Sequence, residues 1–479
     1  MLVERGIFVY GVIISVGSGV VTLQGFLMAF VGEVFRVNST GLDSNNYGLV
    51  VNLYRDETMN LLIGGLLLNP ENRISEGAQV NAMCRLASIL LGDFAIGAML
   101  DPLGNLILNT VRVDAQYRWV IESPAPGIIT RQSVFEPLQT GILSIDAMVP
   151  VGRGQRELII GDRQTGKTSI GIDTILNQKQ EGVLSVYLPI GQKASSVLEV
   201  FTAIATRDAL SNLSLLVASA SSSAVCQFLC AYTGTALAEF FMLVRELACF
   251  IMTDDLSRHA VAYREIYLLL RRAPGREAYP GEIFFVHSRL LERSAKLSTN
   301  LGGGSVTAFP VIETLAGDVS AYISTNVISI TDGQIFLSID LFNSGVKPAI
   351  DVGLSVTRVG SAAQWDGMKL VAGSYKLELA QFVELEAFSQ FAADLGEETK
   401  ARLDRGKRLV EMLKQQCGAP MNLMQQVGIL SLAQQDVIKD LEVSDISAFV
   451  GMYLTVPNWV LLMVPVRLLA VSLVSLLRK

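Results

Sequence analysis

Residues 157–168 read ELIIGDRQTGKT. The run from Leu158 to Ile160 is apolar and short, which indicates a buried strand, and a helix is expected to begin near Thr168. Glycines between strand and helix let successive backbone N–H groups converge on one phosphate chain, and the helix N-terminus adds positive potential. The pattern predicts a phosphate-binding loop in which Lys167 reaches the outer phosphates and the Thr168 hydroxyl ligates Mg²⁺. The candidate nucleotide contacts are Gly161, Asp162, Arg163, Gln164, Thr165, Gly166, Lys167 and Thr168.

Composition limits the classes of protein that fit. The chain has 479 residues, too many for one hydrophobic core, so roughly two to four domains are expected. Half of the residues are hydrophobic, which indicates large buried contacts with partner chains or lipid. A net charge of -7 argues against a nucleic-acid binder. The five cysteines and two histidines form no zinc-type cluster, and the odd cysteine count favours a reducing compartment.

Two uncharged or apolar stretches resemble membrane spans. The stretch 6–32 carries no charge but contains six glycines, which favours short strands and turns. The stretch 459–477 is long enough to span a bilayer, but Pro465 and Arg467 lie near its middle. Since a central arginine costs about 2.5–3.5 kcal/mol on insertion, a buried packing helix is predicted there, with contact to lipid as the alternative.

Three regions differ in pattern. Residues 1–84 combine short apolar runs with turn clusters, which predicts a small closed β-barrel. Residues 85–364 alternate strand-like and helical stretches, which predicts a central α/β phosphate-loop domain of the RecA type. Residues 365–479 have helical periodicity, most clearly at 369–392 and 399–416, and predict an α-helical domain.

Two further polar positions follow predicted strands. Asp254 ends an apolar run, where its carboxylate can hold Mg²⁺ opposite Thr168, whereas Asp255 is interpreted as structural. Gln192 follows the strand that ends at Ile190, where related hydrolases place a glutamate that polarises the attacking water. An amide cannot take up a proton at neutral pH. A glutamine can still orient water, and an ordinary surface glutamine is also compatible with the sequence.

Arg358 lies in the segment VGLSVTRVGSAAQ, residues 352–364. The small residues around it would let another subunit approach, so its guanidinium could reach a neighbour's γ-phosphate as an arginine finger. An arginine in an ordinary salt bridge is the alternative.

Six segments carry a more specific signal. They are GRGQRELIIGDRQTGKTS from Gly152, GQKASSV from Gly191, LLLRRAPGREAYPGE from Leu268, HSRLLERSAKL from His287, STNVISITDGQIFLS from Ser324 and VGLSVTRVGSAAQ from Val352. Together they closely resemble the α subunits of proton-translocating ATP synthases. The likeness extends from about residue 7 to about residue 450 and is strongest between 122 and 390. Three segments are most similar to the plastid and cyanobacterial branch: ESPAPGII from Glu122, GQKASSV from Gly191 and AYTGTALAEFFM from Ala231.

The resemblance implies a function, partners and a location. It implies a subunit that binds ATP or ADP with Mg²⁺ without turning it over, in an alternating ring of three α and three β subunits. That ring surrounds a rotating γ shaft and joins the peripheral stalk and δ subunits, so the protein is membrane-associated through the complex. The expected location is the stromal side of the plastid thylakoid membrane. A bacterial plasma membrane or a mitochondrial inner membrane is the alternative.

The resemblance also assigns residues by position. Arg358 reaches the catalytic site on β, and Ser355, in the same interface strand, matches a position that the family needs for activity. Phe342, Pro348 and Gln415 match positions around the adenine.

The sequence departs from the family in several places, which leaves two other interpretations open. Lys347 and Cys417 replace an arginine and a second glutamine beside the base, and an ammonium cannot stack as a guanidinium does. The family's N-terminal helix that meets the peripheral stalk has no counterpart before the first predicted strand. The alternatives are a self-sufficient hexameric motor of the same fold, such as a secretion ATPase or a nucleic-acid translocase, and a decayed paralogue with a structural role in the ring.

Overall fold

The computed structural model describes residues 10–456, apart from 18, 26–28, 39–45, 56–58, 69–73, 109–116, 390–395, 435–438 and 440. Side chains are described within these limits except at 108 and 387–389. The predicted apolar helix at 459–477 lies outside the described residues.

The N-terminal region forms the predicted closed barrel, with strand order β1-β2-β5-β4-β3-β6. Its strands are β1 (Tyr10–Gly17), β2 (Val20–Gln24), β3 (Glu33–Val37), β4 (Asn46–Arg55), β5 (Leu61–Leu67) and β6 (Gln79–Leu86). The Phe35 ring fills the interior so closely that a Cβ added at Gly48 or Gly65 would overlap it. The last barrel strand continues to Leu86, so the domain boundary predicted after residue 84 falls inside β6.

A large, mainly parallel sheet forms the central domain, as predicted from the alternation of strands and helices. Its strand order is β18-β17-β11-β16-β15-β12-β13-β8-β9, with β14 paired to β12. Two strands, β7 and β10, form a separate antiparallel pair. The strands are β7 (Ser88–Leu91), β8 (Met99–Leu100), β9 (Leu106–Leu108), β10 (Tyr117–Val120), β11 (Glu157–Gly161), β12 (Leu184–Gln192), β13 (Leu213–Leu216), β14 (Ala218–Ser219), β15 (Ala248–Asp254), β16 (Ser305–Glu313), β17 (Gly333–Leu337) and β18 (Val356–Thr357).

Helices cover this sheet, and one of them is unusually apolar. They are α1 (Leu143–Met148), α2 (Lys167–Glu181), α3 (Ala194–Ala205), α4 (Ala224–Leu243), α5 (Leu256–Leu269), α6 (Ile283–Leu291), α7 (Tyr322–Ile330) and α8 (Ile339–Asn343). Among the described helices, α4 alone is long and apolar enough to cross a bilayer, but 89% of its most apolar window is buried inside the protein. Its composition therefore fits a core helix packed on the sheet.

The C-terminal domain is helical, as predicted. It comprises α9 (Asp366–Ser389), α10 (Glu397–Met412), α11 (Leu423–Gln434) and α12 (Val443–Leu454). Helices α9 and α10 pack closely at Gly406, where an added Cβ would overlap the ring of Phe382. The helix predicted over 399–416 ends early, at Met412, because the backbone N–H of Gln415 donates instead to Lys347 O (2.8 Å).

One buried ion pair connects α4 to the segment that follows α6. Arg293 and Glu239 are almost fully buried, and two N–H groups of Arg293 donate to the Glu239 carboxylate at 2.7 and 2.6 Å. A third N–H of Arg293 donates to Ile121 O (2.8 Å), so the guanidinium is well satisfied. Buried charges of this kind are strongly destabilising when one partner is lost.

Glu239→Ala is therefore expected to lower the free energy of unfolding by about 3–5 kcal/mol, because Arg293 stays buried without its counter-ion. Chemical denaturation followed by circular dichroism would measure the change. The matched control is Glu398→Ala, which breaks the exposed Glu398–Arg402 pair on α10 and should cost about 0.5 kcal/mol or less. Equal effects of the two substitutions would contradict this account.

The two histidines meet in the core between α5 and α6. His259 Nδ1 and His287 Nε2 are 3.3 Å apart, and His259 Nε2 lies 3.1 Å from Phe228 O. Burial lowers the pKa of His259 to about 4 and that of His287 to about 3. Both rings are therefore neutral in the folded protein at pH values where unfolding would let them take up protons.

The free energy of unfolding should accordingly fall as the pH is lowered from 6.5, the ordinary histidine pKa, towards 4. Between pH 7 and pH 5 the loss should be roughly 2 kcal/mol per histidine. Urea unfolding of the wild type and of the double variant His259→Gln/His287→Gln across this range would test it. The wild type should lose more stability than the variant; parallel pH profiles would show that the histidines titrate normally.

Candidate functional site

The predicted phosphate-binding loop connects β11 to α2. Gly166, the last residue before α2, has φ 97°, a left-handed conformation that favours glycine. The Asp162 carboxylate holds the loop by accepting from Thr314 Oγ1 (2.7 Å) and from the Gly317 N–H (2.9 Å). Thr165 Oγ1 closes the turn by donating to Asp162 O (2.8 Å). The loop backbone is thus fixed by its own side chains and by the segment after β16.

The loop has two exposed side chains at its tip and one partly buried cation, Lys167. Arg163 and Gln164 are exposed, and Arg163 Nε donates to Glu313 Oε1. Lys167 Nζ instead turns back and donates to Gly161 O (2.9 Å) and Asp162 O. Burial lowers the pKa of Lys167, although neighbouring carboxylates, Glu313 first, oppose this shift. An anionic ligand here would favour the charged form of Lys167, as expected of a phosphate site.

The predicted metal pair meets beside the loop. Thr168 Oγ1 donates to Asp254 Oδ2 (2.7 Å), and Tyr187 OH donates to the same carboxylate oxygen (3.2 Å). A hydroxyl and a carboxylate oxygen are ligands that Mg²⁺ takes, so the two residues fit the predicted ion. Asp255 has a different position: it caps α5 by accepting from the Arg258 N–H (2.6 Å). Burial raises the pKa of Asp255 to about 7.

Gln192 ends β12, next to Asp254. Strands β12 and β15 run parallel and pair from Leu184 to Pro189, so their carboxyl ends meet at one edge of the sheet. Gln192 Nε2 donates to Asp254 O (3.3 Å). The position is suitable for contact with a triphosphate, but the group there is an amide, which neither gains nor loses a proton at neutral pH.

A pocket of about 350 Å³ opens from the loop towards the C-terminal domain. Phe342, Pro348 and Gln415, the three predicted adenine contacts, all line it, together with Lys347 and Cys417. The remaining lining residues include Ile142, Thr165, Gly166, Ser169, Ile170, Asp173, Lys414 and Ser447. The structure therefore brings the predicted base contacts together and places them next to the phosphate loop.

Two residues in the wall of this pocket, Lys347 and Gln415, make contacts within the protein. Lys347 Nζ lies 4.6 Å from the centre of the Phe342 ring, a cation–π distance. Gln415 Nε2 donates to Gly141 O and Ala419 O (both 2.8 Å), and its Oε1 accepts from the Leu143 N–H (3.2 Å). The Gln415 amide thus joins backbone segments far apart in sequence and shapes the wall.

Sequence reasoning missed several pocket residues, of which Asp173 carries an ionisable group inside the wall. This buried carboxylate accepts from the Gly418 N–H (2.6 Å), and burial raises its pKa to about 6. It lies four residues after Ser169 on α2, hence on the same helical face. That spacing could have identified it as a neighbour of the ligand.

Arg358 lies elsewhere. It follows β18, which pairs antiparallel with the first residues of β17, and its backbone N–H donates to Asp332 O (2.8 Å). Its side chain is exposed and forms no ion pair with any residue that the structure describes. Ser355 is buried and structural in its contacts, since its hydroxyl donates to Asp351 O (2.5 Å) and accepts from the Phe336 N–H (3.0 Å).

The fold and the site together define a phosphate-loop nucleotide-binding protein with an α/β core. Two family models match the sequence: the nucleotide-binding domain of the ATP synthase alpha/beta family at residues 141–357, and the C-terminal domain of the ATP synthase alpha/beta chains at residues 364–458. The protein belongs to the ATP synthase alpha/beta family. The finer assignments, to the α subunit and to the plastid branch, stay predictions.

Lys167→Ala is expected to lower the affinity for ATP at least tenfold, because a hydrogen bond to a charged group contributes about 1.5–3 kcal/mol. Equilibrium binding of a fluorescent ATP analogue would measure this. The control is Lys179→Ala on the same helix, whose ammonium pairs with Asp208 at the surface. That control should bind like the wild type; equal weakening in both variants would argue against the loop as the phosphate site.

Proposed function

We propose that this protein is the α-type subunit of an ATP synthase head, which binds Mg-ATP largely without hydrolysing it and supplies Arg358 to the catalytic site of a neighbouring β subunit. The observation that carries the proposal is the position of Arg358 relative to the protein's own phosphate loop.

Arg358 lies near the amino-terminal ends of the parallel strands of the central sheet, whereas the loop lies at their carboxyl ends. The backbone N–H of Arg358 donates to Asp332 O, and Asp332 is level with Arg156, the residue just before β11. The loop begins at Gly161, the last residue of β11. Five residues of β-strand separate these levels, or about 16 Å at ~3.3 Å per residue. An arginine side chain is shorter than this, so the guanidinium is better placed for a triphosphate on another subunit.

The surroundings of Arg358 also favour a role across an interface. Its exposed guanidinium has no partner among the described residues, and the residues flanking it are mostly small. These small residues are Gly353, Gly360, Ser361 and Ala362. A second subunit could therefore approach closely. A planar guanidinium can bind two phosphoryl oxygens at once and stabilise the charge that develops during transfer, an effect of roughly 10³–10⁵ in rate in other nucleotide hydrolases.

The protein's own nucleotide site supports the other half of the proposal. Lys167 would bind the outer phosphates, and Thr168 with Asp254 would hold Mg²⁺, whose charge would be shared with the phosphate oxygens. Gln192 stands where a general base would be needed, and its amide cannot accept the proton of an attacking water. The site can thus retain a nucleotide while the neighbouring site turns over.

The sequence resemblance supplies the proposed context. In it, three copies of this subunit alternate with three β subunits around a γ shaft, joined to the peripheral stalk and δ subunits. The stromal face of a plastid thylakoid membrane is the proposed location. Rotation of the shaft would change the α–β contacts and move Arg358 into or out of the catalytic site, which makes its contribution electrostatic and intermittent.

Arg358→Ala is expected to reduce steady-state ATP turnover by the assembled head by at least 10³-fold, because the transition-state charge loses its cation. Binding of Mg-ATP to the purified subunit should be unchanged. Turnover of heads reconstituted with a β subunit would be measured, with Arg402→Ala, an exposed arginine on α10, as the control.

Two outcomes would count against the proposal. Undiminished turnover in the Arg358→Ala head would contradict the role of Arg358 as an arginine finger. Robust turnover by the pure subunit without any β subunit would instead support a self-sufficient hexameric motor.

A further inference from the structure

A buried hydrogen-bond network lies directly beneath the strand that carries Arg358. Gln155 Nε2 donates to Glu157 Oε2 (2.7 Å) and to Thr357 Oγ1 (2.9 Å), while Gln155 Oε1 accepts from the Gly152 N–H (2.8 Å). The Thr357 hydroxyl in turn donates to Pro150 O (3.2 Å). Thr357 is the residue immediately before Arg358, so the network ends one peptide away from the proposed finger.

The Glu157 carboxyl also packs against the strand pair itself. A Cβ added at Gly333 would lie 2.5 Å from Glu157 Oε2 and closer still to Val356 O. Gly333 is the residue of β17 that pairs with Thr357 of β18. The carboxyl group therefore fills the space under the point where the short edge strand joins the sheet.

Burial favours the uncharged form of the Glu157 carboxyl. Its side chain is fully buried, and its Oε1 has no hydrogen-bond partner in the part of the protein that the structure describes. Burial raises the pKa of Glu157 well above its ordinary value, and the negative charge of Asp332 adds to this, while the Gln155 amide acts in the opposite direction. Arg156 forms an ion pair with Asp332 rather than with Glu157.

We propose that Glu157, acting through Gln155 and Thr357, is a positioning residue that fixes the edge strand β18 and thereby the placement of Arg358 in a neighbour's catalytic site. The inference rests on the proposed function and deepens it. Glu157 does not touch the nucleotide in this account; it acts only through the geometry of the finger.

The strand needs such support because it is short and lies at the edge. Strand β18 has two residues, and it pairs with one neighbour, β17. The exposed Arg358 side chain gains no rigidity from ion pairs with described residues, so its aim depends on the backbone and on what anchors Thr357. A displacement of about 1 Å at a catalytic group can cost roughly 10²-fold in rate.

The test compares three variants of the assembled head. Glu157→Gln keeps the shape and the hydrogen-bond acceptor for Gln155 and carries no charge, so it should retain wild-type turnover. Glu157→Ala and Thr357→Val remove opposite ends of the network, and each should lower kcat about 10- to 100-fold. The KM for ATP and nucleotide binding by the purified subunit should stay within about twofold. Thr202→Val is the control for Thr357→Val, since the Thr202 hydroxyl bonds only within its own helix, to Leu198 O.

A second readout separates positioning from a general structural effect. Mg-ADP with aluminium fluoride imitates the transferring phosphoryl group and should bind tightly only when the arginine is in place. Inhibition by this probe should be lost in Arg358→Ala and weakened at least tenfold in Glu157→Ala and Thr357→Val. In the Arg358→Ala background, neither substitution should lower the residual turnover further, because there is no finger left to position.

The outcomes distinguish this inference from the proposed function. Full turnover in Arg358→Ala would overturn both. Loss of turnover in Arg358→Ala with wild-type behaviour of Thr357→Val would overturn the positioning role alone. Glu157→Gln as inactive as Glu157→Ala would contradict the proposal, because the glutamine keeps the hydrogen bond to Gln155. Should Glu157→Ala fail to assemble, Glu157→Gln and Thr357→Val decide the question.

Discussion

The parallel pairing of β11 with β16 and β17 governs where functional side chains can act in this protein. Parallel strands have all their carboxyl ends at one edge, so the phosphate loop, Asp254 and Gln192 meet there. Strand β18 runs antiparallel to β17, so Arg358, which follows β18, lies near the amino-terminal end of β17. The nucleotide site and Arg358 therefore lie at opposite ends of the strands of one sheet.

Desolvation by burial is the main cause of the pKa shifts in this protein. It lowers the pKa of Lys167 and raises those of Glu157 and Asp173, so each group is poised by its surroundings rather than by its residue type. The consequences differ with the partners available. Lys167 is turned towards backbone oxygens that a phosphate could replace, whereas Glu157 is buried beneath a strand and accepts a hydrogen bond from Gln155. Burial thus separates a binding residue from a supporting one.

Local patterns predicted the barrel, the α/β core, the helical domain and the loop, because turn clusters, apolar runs and glycine spacing act over a few residues. The sequence could not show that the Gln415 amide is occupied by the backbone of Gly141, or that Gln155 joins Glu157 to Thr357. Those contacts connect positions 274 and 202 residues apart, and only the assembled sheet brings them together. The early end of α10 at Met412 has the same origin, a tertiary contact that overrides helical periodicity.

The base pocket has walls from distant parts of the protein, among them the start of α2, the segment 342–349 and the segment 414–417. Any occupant would therefore hold the helical domain against the central one. A ligand bound only by the folded state raises the free energy of unfolding by RT ln(1 + [L]/Kd), or about 2.7 kcal/mol at a hundred times Kd. A nucleotide retained in this pocket would act as an internal brace, so the stability of the subunit would depend on the nucleotide concentration around it.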